Sequence, residues 1–275
     1  MRLGRVLAKY KWRFSLTLLL VVLDAIGLIL FPLFIGYTID GALEKDYTGA
    51  LWLGLLGLTS LIVGAGRRWF DSRFYARVYQ ELGWEVCSQM NTGTSTKNAR
   101  LGFLSEVVEF FENSLPDIIN NSIGLVGMLA ILAALDIRIF TGCLLILLIV
   151  GIVYGLSEKR TIRINAAYNI ELERQVSVIA ENDPKQFRGH LKRVMNWNVR
   201  LSDLEVINFS IVWLVMMVFL VFSIVGIAGE GALQYGSVLA LILYLFQFME
   251  SVSMMPIFYQ QWLRLTEIST RLRAL

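Results

Sequence analysis

The sequence predicts an all-α polytopic membrane protein, with six transmembrane helices joined on one side by long helical extensions. Three observations carry that prediction. Six apolar stretches, residues 14–36, 50–66, 118–135, 139–156, 206–229 and 237–258, have about the length needed to cross a hydrocarbon core, the second being short unless it continues as a helix. All but two of the 25 Lys and Arg residues fall on one side of the membrane those stretches imply. The connections on that side are long, and those on the other side are short. A hydrophobic fraction of 56% and a mean hydropathy of +0.61 exclude an ordinary soluble domain.

The elements follow in chain order. Arg2, Arg5, Lys9, Lys11 and Arg13 precede span 1. A basic start before an apolar run suggests a signal peptide, but this run is too long for a signal core. It also carries Asp24 and lacks an Ala-x-Ala site, so it reads as a retained span. Lys45 and Arg138 are the two basic residues in the short loops. Because positive loops stay inside, both termini are expected in the cytoplasm, in a bacterial inner membrane. Trp12, Trp52, Trp69, Trp213 and Trp262 fall near span ends, where an amphipathic ring prefers the headgroup layer.

The two inner connections, residues 67–117 and 157–205, are too long for structureless loops and are expected to form helical hairpins. In the first, Phe70, Phe74, Val78, Leu82 and Val86 recur every four residues, which extends span 2 as a helix past the bilayer. A break is expected over Asn91–Thr96, followed by a return helix through Leu101, Leu104, Val108, Phe111 and Leu115 to Pro116. In the second, span 4 extends through Ile162, Ala166, Ile170 and Glu173 to a break at Asn182-Asp183-Pro184. Phe187, Leu191, Val194 and Leu201 then lead back to span 5. Amphipathic helices lying flat on the membrane are the alternative for both connections.

Cys87 lies in the first inner connection and Cys143 in span 4, so topology keeps them from pairing. His190 stands among Arg188, Lys192 and Arg193 without ligand spacing, and reads as a solvated loop histidine. No metal or cofactor is expected. The net charge of +3 reflects loops facing anionic membrane lipid, so nucleic acid is not an expected partner.

Asp24 and Glu250 stand out chemically. Each lies about eleven to thirteen residues into its span, near the midplane by helical rise. A carboxylate there is costly, and such groups usually face a bundle interior or a wet cavity, where they handle protons or cations. Asn at 24 or Gln at 250 would resemble the protonated acid in size and polarity. Tyr244, Gln247, Ser251 and Met254 give span 6 a stripe with Glu250, and Thr17 lies seven residues before Asp24. A hydrogen bond across helices for Asp24, or a water-bridged Arg for Glu250, is the structural alternative. Pro32 and Pro256 are expected to kink their helices.

Three segments add a family resemblance to this architecture. Leu104-Ser105-Glu106-Val107-Val108-Glu109-Phe110-Phe111, followed by Ser114-Leu115-Pro116-Asp117-Ile118-Ile119, resembles the return helix into span 3 of an ABC exporter transmembrane domain. Gly231-Ala232-Leu233-Gln234-Tyr235-Gly236-Ser237-Val238-Leu239-Ala240 and Arg264-Leu265-Thr266-Glu267-Ile268-Ser269-Thr270-Arg271-Leu272 resemble the entry and exit of its span 6. The resemblance implies a bundle of the ABC exporter type, a twelve-span pathway built from two copies, and spans 1 and 6 lining it. An exporter half continues past span 6 into a nucleotide-binding domain, whereas this sequence ends at Leu275. It contains no Gly-Lys for a P-loop and no Gly-Gly for an ABC signature.

The sequence-level expectation is a homodimeric transporter that moves a small or amphiphilic solute or ion across the inner membrane without its own ATPase, passively or coupled to protons or ions. Asp24 and Glu250 would be its titrating carboxylates, and Thr17, Tyr244, Gln247, Ser251 and Met254 would line its pathway. One alternative is a permease energised by a separate ATP-binding subunit, with the polar tips at Asn91–Asn98 and Asn182–Lys185 altered relative to the family's docking sites. The other is a membrane scaffold or regulator that transports nothing.

Overall fold

A computed structural model describes residues 10–88, 94–181, 183–229 and 234–274; side chains at 86, 94–97, 99–100, 228 and 262–274 are outside the description. Outside it therefore fall the N-terminal basic residues Arg2, Arg5 and Lys9, the break residues Asn91–Gly93 and Asn182, and the loop at 230–233. The side chains of Val86, Lys97, Arg100, Trp262, Arg264, Arg271 and Arg273 are outside it too.

All regular structure among the described residues is helical. The helices are α1 (Lys11–Leu43), α2 (Thr48–Ser88), α3 (Thr94–Glu109), α4 (Leu115–Leu135), α5 (Ile137–Glu173), α6 (Gln175–Ala180), α7 (Pro184–Gly229) and α8 (Tyr235–Ala274), with a π turn at Phe110–Ser114 between α3 and α4. Six of the helical segments are long and apolar enough to cross a membrane. The 46 residues of α7 extend about 70 Å, more than twice a hydrocarbon core. Pro32 and Pro256 lie inside α1 and α8 without ending either helix.

The chain forms two compact units. The first comprises Met1–Ile137 and Ile227–Leu275. Its α1 and α2 are joined by a tight turn in which Lys45 takes a positive φ of 62° and the Asp46 N–H donates to the Gly41 carbonyl at 2.8 Å. Asp46 caps α2 by accepting from the Thr48 N–H and hydroxyl, which hold its carboxyl below the ordinary range. Residues equidistant from this turn face one another: Gly49 with Thr38, Gly27 with Ser60, and Thr17 with Asp71.

Beyond the span, the predicted stripe closes as a hairpin. Phe74, Tyr75, Val78 and Leu82 of α2 pack with Leu104 of α3, flanked by Tyr10, Phe70, Val108 and Phe111. These apolar residues of the two helices face each other. The return helix begins at Thr94, so Thr94–Thr96 belong to it and not to the break. Pro116 near the start of α4 offers no N–H to the Glu112 carbonyl. The wider π turn absorbs that loss, and Leu115 N–H donates back to Phe110.

The second unit is Arg138–Gly226, the hairpin of α5 and α7 with α6 at its tip. Gly142 lies against the Phe219 ring too closely for a side chain. Further along, the Ser157 hydroxyl donates to Asn208 Oδ1 at 2.7 Å. Asp183 caps α7, its carboxylate accepting from the Lys185 N–H at 2.8 Å, and Pro184 occupies the first helical position.

Two sequence expectations change in this unit. His190 is not a solvated loop residue: it is 0% exposed, and its Nδ1 lies 3.0 Å from Glu171 Oε1. Arg193 Nε donates to the same oxygen at 2.7 Å, and Arg174 Nη1 lies 3.6 Å from Oε2. These donors together form a polar clamp, about 50 Å along α5 from Ile137 and so beyond a bilayer core. They hold the Glu171 carboxyl below its ordinary range, Arg193 most of all. The buried seam keeps Val194 of the predicted series but otherwise runs through Ile164, Val178 and Leu204, while Ile162, Ile170, Phe187 and Leu191 are exposed.

Candidate functional site

The α1–α2 register places charged residues where the sequence alone showed isolated ones. Asp24 on α1 meets Arg67 on α2, with Oδ2 and Nη2 3.5 Å apart and both side chains largely buried. One to two turns toward the hairpin, the Thr17 hydroxyl donates to Asp71 Oδ1 at 2.7 Å; Thr17 is fully packed and Asp71 is only 3% exposed. Asp24 therefore faces a guanidinium, and Thr17 serves as the support of a second carboxylate.

Arg67 and Asp71 open onto a cavity of about 450 Å³ whose walls also include Arg68, Ser72, Glu112, Asn113 and Asp117. One wall is α2. The other is the π turn and the first residues of α4, so the irregular backbone forced by Pro116 brings Glu112 and Asn113 to the cavity. Arg67 Nε is buried without a hydrogen-bond partner.

Span 6 divides its predicted stripe. Tyr244 is buried, and its hydroxyl donates to the Ile29 carbonyl at 2.8 Å, so it locks α8 to α1 within the unit. Gln247 Nε2 reaches the Leu28 carbonyl at 3.4 Å, and the Ser251 carbonyl accepts from Asn121 Nδ2 at 3.2 Å. Met254 and Glu250 are exposed. Glu250 makes no hydrogen bond or ion pair with any described residue. The structure thus brings Asp24 and Thr17 into one polar seam with Arg67 and Asp71, and leaves Glu250 on the outer face of α8, away from Tyr244.

Sequence reasoning missed Arg67, Asp71, Glu112 and Asp117 as a group because they precede or follow spans, where charges are ordinary. The signal was there in part. A short turn fixes an antiparallel register, and that register sets Thr17 opposite Asp71.

Near the α1–α2 turn, α1 and α8 meet backbone to backbone. A Cβ on Gly36 would stand 2.5 Å from the Gly236 carbonyl oxygen, and Asp40 Oδ1 accepts from the Gly236 N–H at 2.7 Å. Among the described residues, no group of His, Cys, Asp or Glu has the arrangement of a metal site.

Six apolar helices, two helical extensions and a polar seam between spans define an integral membrane protein of the transport-domain class. The family model described as ABC transporter transmembrane region matches residues 3–236, and the chain belongs to that family. No match was found among curated proteins.

Proposed function

We propose that the chain is a homodimeric transporter of a bacterial inner membrane, with both termini cytoplasmic, moving a small or amphiphilic solute or ion. Movement is passive or coupled to protons or ions, and no ATP is hydrolysed by these 275 residues, which contain neither a Gly-Lys nor a Gly-Gly dipeptide. One observation carries the reading: Glu250, within a span, is exposed on α8 with no hydrogen-bond or ion-pair partner among the described residues. A carboxylate left toward lipid is costly, so that face is covered by water or by another copy. Apolar residues left exposed on the α5–α7 extension, among them Leu191, Met195 and Val199 at four-residue spacing, support a second copy as well.

The test is cross-linking. Glu250→Cys in native membranes, with Cys87 and Cys143 replaced by Ser, is expected to form a dimer on mild oxidation. A Leu144→Cys control on an exposed position of α5 that remains equally cross-linkable to nothing validates the readout. A strictly monomeric Glu250→Cys protein in membranes and in mild detergent would contradict the reading.

A permease energised by a separate ATP-binding chain is the second reading, favoured by one feature. The tip helix α6 exposes Val176 (77%) and Ile179, apolar residues with no covering within the unit. Flux that begins only on adding an ATP-binding chain would favour this reading, and flux driven by an imposed gradient would favour the first.

A further inference from the structure

We propose that the cavity between α2, the π turn and α4 binds a dipolar ligand, one that carries a primary ammonium together with a phosphate or carboxylate. Its volume of about 450 Å³ suits a small molecule or a headgroup. The proposal does not depend on transport, since the site binds whether or not its ligand is carried.

The anionic end is read from the guanidiniums. Arg67 is 9% exposed and has five N–H donors, yet among the described residues its one ion pair is the 3.5 Å approach to Asp24, and its Nε is buried without a hydrogen-bond partner. A buried donor without a partner is unfavourable, and a phosphate or carboxylate oxygen satisfies it. Arg68, next along α2 and exposed, makes no hydrogen bond or ion pair with the described residues and adds a second fork for the same group.

The cationic end is read from the opposite wall. Glu112 and Asp117 line the cavity and make no hydrogen bond with the described residues, and Thr17 occupies only one oxygen of Asp71. Three carboxylates face two guanidiniums, one of which is shared with Asp24. A simple anion meets this surplus of negative charge, and a simple cation leaves Arg67 Nε unsatisfied. A ligand with both charges answers both walls. The charged groups are also held in place from behind, Arg67 by Asp24 and Asp71 by Thr17, both on α1.

Two sources offer this chemistry. The cavity lies at the ends of spans 2 and 3 that the charge bias assigns to the cytoplasm, beside the exposed Trp69, at headgroup level. A phosphoethanolamine lipid headgroup reaches it there, and so does a free zwitterion from solution.

The experiment uses the full chain in nanodiscs of phosphatidylglycerol alone, titrated calorimetrically with phosphoethanolamine, ethanolamine and ethyl phosphate. Phosphoethanolamine is expected to bind at least about tenfold more tightly than either half. Arg68→Gln is expected to bring it down to the level of ethanolamine, and Glu112→Gln to that of ethyl phosphate. Neither side chain has a hydrogen bond to lose among the described residues, and unchanged melting temperatures verify the fold. In a second arm, phosphatidylethanolamine is added to the discs. A raised melting temperature in wild type but not in the variants assigns the lipid as the source, and no change assigns the free zwitterion. Equal affinity for all three probes, or wild-type affinity in both variants, would overturn the proposal. Since binding is read at equilibrium without flux, its failure is distinct from failure of the transport reading.

Discussion

Arg67 Nη2 lies 3.5 Å from Asp24 Oδ2 across the α1–α2 seam, inside a segment that the sequence presents as a span with a lone acid. The pair changes what a substitution at Asp24 does. Viewed as a protonated acid, Asp24 should tolerate Asn, but in the structure Asn would remove the carboxylate that forms Arg67's ion pair. Removing one member of a largely buried pair costs about 3 kcal/mol or more. Asp24→Asn and Arg67→Gln should each lower the melting temperature in detergent. The exchange Asp24→Arg with Arg67→Asp should recover part of the loss, and equal additive losses would show that the two do not interact.

The ends of α1 and α8 at Gly36 and Gly236 should be equally intolerant of a single methyl. Gly36→Ala places a Cβ 2.5 Å from a backbone oxygen of Gly236, which has no flexible end to move aside. Overpacking of this kind costs about 1–3 kcal/mol. Gly54→Ala, where a Cβ meets open space, serves as the control and should be nearly neutral.

The Glu171 clamp makes a pH prediction for the second unit. A carboxyl whose folded pKa is depressed below its ordinary 4.5 adds stability that is present above that value, and it is lost as pH falls through the lowered folded value. Thermal unfolding of wild type should therefore weaken below pH 4.5 by more than that of Glu171→Gln, which should be less stable at neutral pH. Parallel pH profiles for the two proteins would show that the clamp contributes nothing.

Tyr244 tests whether a residue assigned to a pathway is structural. Loss of its bond to the Ile29 carbonyl in Tyr244→Phe should cost about 1 kcal/mol, and more if the carbonyl stays unsatisfied. Transport rates should be unchanged, since the hydroxyl is buried between helices. A selective loss of flux at wild-type stability would return Tyr244 to the pathway.

Much of the fold was legible because the bilayer imposes length and hydropathy so strongly. The six spans, the long α2 extension and its Phe74–Val78–Leu82 stripe follow from apolar periodicity, and the structure has them. The site was legible only in part. Asp24 and Glu250 are conspicuous as acids within apolar runs, but Asp71, Glu112 and Asp117 sit in ordinary polar sequence. They become a site only through the α1–α2 register and the π turn forced by Pro116. His190 was misread for a related reason: its neighbours in sequence are cations, whereas its partner, Glu171, comes from the other arm of the hairpin. Glu250 and Tyr244 lie on one helix, and the assignment of both to one stripe failed because six residues turn a helix by about one and two-thirds revolutions, leaving the two about 120° apart.

The central claim is transport by this chain without ATP, and flux in proteoliposomes tests it most directly. Purified protein would be reconstituted with an imposed inward proton gradient and no nucleotide, and uptake followed for a panel of amphiphilic cations and short peptides. The account predicts gradient-driven uptake above protein-free vesicles, with a pH dependence that shifts in Glu250→Gln. Uptake that never exceeds empty vesicles under any gradient, yet starts when an ATP-binding chain and ATP are supplied, would contradict it.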